Sequence, residues 1–225
     1  MADNAEHQRA YWNSIADYYD YKYGYGTEKG YLKLCRKTLL VSNITRLGFG
    51  DKVLELGCGT GSSSNLLALQ GLEVAGVDIS EKMLGMARLK NKNVNYYKAD
   101  IKRLPFLDIS FDVILGFYIL QYVDVSDVLQ EVYRVLKPQG RVCFIEPNCL
   151  NPIVFAKTKI DLVKKIRHIS KEANSFIDCK LGKLFSEKFN QVEVHYIEYG
   201  SLSFFSKMPL LKRVSGSLVV NGVKY

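Results

Sequence analysis

Residues 53–61 read Val53-Leu54-Glu55-Leu56-Gly57-Cys58-Gly59-Thr60-Gly61, and Ser62-Ser63-Ser64 follow. An apolar run that closes on alternating glycines predicts a buried strand, a tight turn and a helix start. Glycine admits positive φ and lets a bound molecule come close to the backbone. A turn of this kind, at the carboxyl end of a strand, is where open α/β sheets receive nucleotides. The same spacing also occurs as a plain strand–helix connection. The dinucleotide fingerprint G-x-G-x-x-G needs a glycine at position 62, where this chain has Ser62. A second run, Val74-Ala75-Gly76-Val77, ends in Asp78. An acid there is placed to accept from both hydroxyls of a ribose, or to cap the helix opened by Ile79-Ser80-Glu81. A third run, Val94 to Ala99, ends in Asp100-Ile101. Asp100 alone reads as a loop acid, but Glu55, Asp78 and Asp100 together place three acids at three successive strand ends.

Other chemistry is sparse. His7, His168 and His195 are scattered, and no Ser/His/Asp or Cys/His constellation is apparent. The five cysteines, Cys35, Cys58, Cys143, Cys149 and Cys179, form no C-x-x-C pair. Their odd number and spacing argue against a metal site or a disulfide framework and suit a reducing cytoplasm. Pocket candidates follow the fourth and fifth predicted strands: Phe117, Tyr118, Tyr122, Glu146 and Asn148. Glu146 is a base, a substrate anchor or part of a Glu146-Pro147-Asn148 turn.

Several segments together resemble the class I S-adenosylmethionine (SAM) methyltransferases, in particular the type 11 group of small-molecule enzymes. The E-x-G-x-G-x-G form of Glu55–Gly61 is similar to their first motif, and Asp78-Ile79-Ser80-x-x-Met83-Leu84-x-x-Ala87 to their second. Asp100-Ile101, Leu104-Pro105-Phe106 and Ser110–Ile114 resemble the third and fourth, and Val128–Arg141 the helix and "LKPGG" turn that follow. The resemblance is strong over residues 50–146 and looser beyond. It implies a Rossmann-like, doubly wound α/β fold: a mostly parallel seven-stranded sheet, helices on both faces and an antiparallel last strand. It implies SAM as cofactor, held by Glu55, Gly57, Cys58, Gly59, Gly61, Asp78, Ile79, Met83, Asp100, Ile101, Phe117 and Tyr122. Ile79 and Met83 would lie against the adenine, and Asp100 would accept from its amino group. Tyr11-Trp12-x-x-Ile15-Ala16-x-x-Tyr19-Asp20 resembles a lid helix, with Tyr11 and Tyr19 closing over the methionine end. Tyr18, Tyr118, Glu146 and Asn148 would line the acceptor pocket, with Tyr122 and Glu146 as the catalytic candidates. Many relatives carry His where Tyr122 stands, and the N-P-P-[YF] signature of amino-methylating DNA enzymes is absent after strand four. The further signatures of quinone-ring members are not seen.

The elements that must position these residues divide as one domain over 1–225. Residues 1–48 supply lid helices, 49–150 the SAM-binding core, 151–190 a helical substrate lid and 191–225 the C-terminal strands. The fifth strand is expected over Val142–Glu146, the sixth over Val192–Tyr199 and the last over Leu218–Lys224. No signal peptide is indicated, and no apolar run nears the ~20 residues needed to span a bilayer. The net charge of +8 is almost all C-terminal: residues 151–225 hold 13 Lys+Arg against 6 Asp+Glu. Lys157–Lys171 reads as a basic amphipathic helix, either a solvated face or one that meets an anionic acceptor or membrane surface. Phe204–Leu211 is core or an apolar substrate face. Methyl transfer to an O, N or C nucleophile of a small, anionic or amphiphilic acceptor is therefore expected. The alternatives are action on RNA or a membrane lipid, with nucleic acid disfavoured because no separate RNA-binding module flanks the core. A non-catalytic scaffold would show eroded glycines or acids, and both are intact.

Overall fold

A computed structural model describes residues 2–23, 25–148, 151, 178–197 and 217–225. Helices α1 (Ala2–Ile15) and α2 (Tyr19–Lys22), separated by a 3-10 turn at Ala16–Tyr18, precede α3 (Glu28–Ile44). Then come β1 (Lys52–Leu56), α4 (Ser62–Ala68), β2 (Glu73–Asp78), α5 (Glu81–Lys90), β3 (Asn95–Lys98) and β4 (Phe111–Phe117). A 3-10 turn at Leu120–Tyr122 leads into α6 (Val125–Val135), β5 (Leu136–Pro147), α7 (Asp178–Ser186), β6 (Asn190–Ile197) and β7 (Ser217–Val223).

The seven strands form one sheet in the order β3-β2-β1-β4-β5-β7-β6. Strands β1 to β5 pair in parallel, and β7 runs antiparallel to both β5 and β6. This is the doubly wound arrangement expected from the sequence. The chain moves outward from β1 through β2 to β3, then returns to lay β4 on the other side of β1. That reversal opens a crevice beyond the carboxyl ends of β1 and β4, where such sheets bind ligands.

Period-2 alternation decides which side chain meets which face. Leu54, Leu56, Ile114, Val142 and Phe144 pack with Val128, Leu129 and Val132 of α6 and Phe185 of α7. Val53, Val113, Leu115, Cys143 and Ile145 pack on the other face with Val41 of α3, Leu67 of α4 and Leu84 of α5. Side chains cap the starts of α3, α5 and α6: Thr27 Oγ1 accepts from the Gly30 N–H, Ser80 Oγ from Met83 and Asp124 Oδ1 from Ser126.

Some boundaries differ from expectation. β5 begins at Leu136 rather than Val142, because Leu136 pairs with Phe111 across a register shift and Gln139 turns through φ +62°. β6 and β7 start two and one residues early. β3 stops at Lys98, so Asp100 stands in the turn beyond the strand. The basic segment Lys157–Lys171 and the apolar stretch Phe204–Leu211 lie outside the described residues.

Candidate active site

The turn after β1 is built from left-handed backbone: φ is +67° at Gly57, +53° at Gly59 and +73° at Gly61. Space is withheld as well. A Cβ on Gly57 would stand 2.7 Å from Ile119 Cδ1, and one on Gly61 2.5 Å from the Tyr96 hydroxyl. Glu55 faces the same side of β1 as Val53, toward α4, and is buried. Ser63 and Ser64 donate their hydroxyls to its two carboxylate oxygens. Burial pushes this carboxyl up to about 7, the two serine donors pull it down, and the charge of Asp78 raises it. Glu55 therefore braces the start of α4 beneath the turn.

Asp78, the last residue of β2, is half-buried. Its Oδ2 accepts from the Gly59 N–H at 2.9 Å and its Oδ1 from the Ser80 N–H at 2.8 Å. Burial pushes it up to about 6, against these backbone donors. The Ile79 backbone donates as well, and since each carboxylate oxygen accepts in two directions, capping does not exhaust the acceptor capacity of this side chain.

The N-terminal segment lies on this turn. The Tyr19 ring comes within 3.8 Å of a Cβ built on Gly59. Asp20 Oδ1 accepts from Thr60 Oγ1 at 2.6 Å, and Asp20 also pairs with Lys90. Gln8 donates to the Tyr122 carbonyl at 2.6 Å, and Ser80 Oγ to Asn13 at 2.7 Å. Trp12 meets the Tyr122 and Tyr11 rings edge-on, with centroids 5.3 and 5.0 Å away. Tyr18, expected in the acceptor pocket, is 47% exposed, with the Lys22 ammonium 5.9 Å from its ring centre.

Between this segment and the sheet is a cleft that opens to solvent. Gly57, Cys58, Phe117, Glu55 and Tyr19, all singled out from the sequence, line it. Tyr25, Leu34, Lys37, Thr60, Ser62 and Ser63 line it too and were not foreseen. Burial and the neighbouring charge of Lys33 push the Lys37 ammonium down to about 8. Tyr118 holds φ +58°, a strained state for a large side chain, and its hydroxyl is 3.0 Å from Ser217 Oγ.

The other expected residues are spread around the cleft. Met83 is buried with Ile15 and Ala16, against Tyr11 and Tyr19, and Ile79 is half-buried. Asp100 Oδ1 accepts from the Lys102 N–H at 2.9 Å, and Ile101 joins the α6-side core. Glu146 shares the face of Val142 and Phe144, and so points beneath the Leu120–Tyr122 turn. It is fully buried, and its Oε1 accepts from the Ile119 and Leu120 N–H groups at 2.9 Å each. Its Oε2 has no partner among the described residues. Burial pushes this carboxyl up to about 8, against the backbone donors. Asn148 is buried immediately beyond β5.

Comparison with known proteins agrees with this geometry. The family described as "Methyltransferase domain" matches residues 54–144. The demethylmenaquinone methyltransferase of Lactobacillus johnsonii is 38% identical over 140 residues, 57% of this chain and 55% of that protein. The enzyme of the same name from Lactococcus lactis subsp. lactis is 33% identical over 180 residues, 67% of this chain and 69% of that protein. Across several of these relatives the chain spans about half of their length. A SAM-dependent methyltransferase of known structure from Thermotoga maritima shares the fold, with a TM-score of 0.67 at 21% identity over 95% of this chain and 99% of that one. With the Lactococcus lactis relative matched over 69% of its length and the glycine turn inside the matched segment, the chain belongs to the S-adenosylmethionine-dependent methyltransferases of the type 11 group.

Proposed function

We propose that this chain moves a methyl group from SAM to an O, N or C nucleophile of a small molecule, by in-line displacement. One observation carries the reading: in a turn of three left-handed glycines the middle one, Gly59, meets both the Asp78 carboxylate and the Tyr19 ring. The residues fit the cofactor. Where Gly57 and Gly61 stand, a side chain would collide with Ile119 or Tyr96, so the turn stays free of side chains, and Gly57 lines the cleft. Asp78 keeps acceptor capacity toward a ribose, and Asp100 stands one strand further on. When bound, SAM supplies a methyl already activated on a positively charged sulfur.

The chain's own work is then positioning and exclusion of water. Tyr19, Tyr11 and Trp12 form an aromatic cover, and aromatic faces attract cations. Asp20, through Thr60, fastens that cover to the glycine turn. Glu146 holds the Leu120–Tyr122 turn by its Oε1, with a proton on the carboxyl at neutral pH, and so acts as a positioning residue for Tyr122. A base is required only where the acceptor atom carries a proton.

Relatives named for demethylmenaquinone make a compound of that kind the first acceptor to test. No helix among the described residues is long and apolar enough to cross a membrane. The free cysteines Cys35, Cys58 and Cys143 suit a reducing compartment such as the cytoplasm. Incubation of the purified chain with SAM and fractionated small molecules, read by mass spectrometry, should yield a product heavier by ~14 Da, the net gain of one methyl. Failure of every fraction, demethylmenaquinone included, to give S-adenosylhomocysteine would contradict the reading.

A further inference from the structure

Ser80 is fully buried, and two distant parts of the chain hold it. Its N–H donates at 2.8 Å to Oδ1 of Asp78, the acid that ends β2. Its hydroxyl donates to Asn13 Oδ1 of α1 at 2.7 Å and accepts from the Met83 N–H at 3.1 Å. The amide oxygen of Asn13 can only accept, so it fixes the direction of the Ser80 proton and leaves a lone pair for the helix start. The same oxygen accepts from the Lys82 N–H at 3.3 Å. Asn13 is thus a second cap on α5, supplied from 67 positions earlier in the chain. The other oxygen of Asp78 holds the Gly59 N–H, and Gly59 meets the Tyr19 ring. Gly59 and Ser80, which the two oxygens of Asp78 hold, are therefore both met by the N-terminal segment.

A carboxylate receives a ligand at full strength only when its supporting partners keep it in the productive geometry. Without Asn13, a buried hydroxyl donor would lose its acceptor, the costly case for a hydrogen bond. Ser80 would then relax, and with it the carboxylate that its N–H holds. We propose that Asn13 is a positioning residue for Asp78, acting through Ser80, so that one residue of α1 sets the grip of the cleft on a ribose. The assignment rests on the methyltransferase reading; Asn13 acts on the carboxylate and not on the bound molecule.

A double-mutant cycle on the full chain, read by calorimetry with S-adenosylhomocysteine, tests this coupling. Asn13→Ala should lose about tenfold in affinity, the scale of one unpaired buried donor. In an Asp78→Ala background the same change should lose less than about twofold, because the carboxylate that Asn13 positions is gone. Asn13→Leu keeps the volume, removes the acceptor and takes the place of Asn13→Ala should that variant not fold. Asp17→Ala is the control. It breaks the exposed Asp17–Lys82 ion pair of the same segment, a weak kind of contact, and should stay within about twofold of wild type. A loss of about tenfold in both backgrounds would overturn the proposal, since Asn13 would then act independently of Asp78. An equal loss in Asp17→Ala and Asn13→Ala would also overturn it, because docking of the whole segment would then set the affinity. So would wild-type affinity in a folded Asn13→Ala chain. In each of these three outcomes S-adenosylhomocysteine still binds the wild-type chain, and the methyltransferase reading stands. A wild-type chain that binds no S-adenosylhomocysteine would remove that reading and the role of Asn13 with it.

Discussion

The backbone N–H of Gly59 donates to Oδ2 of Asp78 at 2.9 Å, so the turn after β1 is tied to the last residue of β2. The other oxygen of the same carboxylate holds Ser80 N–H and with it the start of α5. One acid thus aligns the glycine turn and the next helix, and presents acceptor capacity between them.

Asp78→Ala should weaken SAM binding by roughly 1.5–3 kcal/mol, the range for hydrogen bonds to a charged group. It should also lower stability by about 1–2 kcal/mol, because two N–H groups lose their acceptor. Asp78→Asn retains an oxygen and should recover part of the stability with less of the affinity. Calorimetry and urea unfolding separate the two effects. Unchanged cofactor affinity in a folded Asp78→Ala chain would remove Asp78 from the site.

Gly61→Ala should destabilise the chain by about 1–3 kcal/mol, the cost of a strained backbone with a steric clash. The reason is local: φ is +73°, and the new Cβ would meet Tyr96 and Ala87. Gly85→Ala is the matched control. Gly85 is exposed inside α5 with nothing within 4 Å of a built Cβ, so alanine there should stabilise by about 0.5–1 kcal/mol. Thermal unfolding of the pair should give shifts of opposite sign; a fall at both would show that the turn is not special.

Glu146 gives a pH signature. Its folded pKa is raised from the ordinary value of 4.5 to about 8, so between these values the folded chain holds a proton that the unfolded chain has lost. Stability from this group is therefore greatest below the unfolded value and falls as pH rises toward 8. Glu146→Gln, neutral throughout, should match wild type near about pH 5 and exceed it by about 1–3 kcal/mol near about pH 8.5. Parallel wild-type and variant profiles across that window would contradict the assignment.

The sheet and the glycine turn were legible because their residues are contiguous: an apolar run, alternating glycines and an acid at the end of the next strand. The start of β5 was not, because Leu136 joins the sheet through a register shift against Phe111 that leaves no local signal. Lys37 was missed although its position is visible in retrospect. Gly30, Leu34, Lys37, Thr38 and Val41 form one buried stripe of α3 at helical spacing, and a lysine in such a stripe marks a cation turned inward. Thr60–Asp20 and Gln8–Tyr122 join residues 40 and 114 positions apart, which periodicity does not reveal. Glu146 stood out as an acid after a strand, but only the three-dimensional fold shows its Oε1 bound to the Leu120 N–H.

Calorimetric titration of the purified chain with S-adenosylhomocysteine, and separately with NAD, tests the central claim most directly. Saturable binding of S-adenosylhomocysteine and no heat from NAD are predicted, since the turn carries glycines at 57, 59 and 61 with Ser62 at the third dinucleotide position. Tight NAD binding with no response to S-adenosylhomocysteine would contradict it.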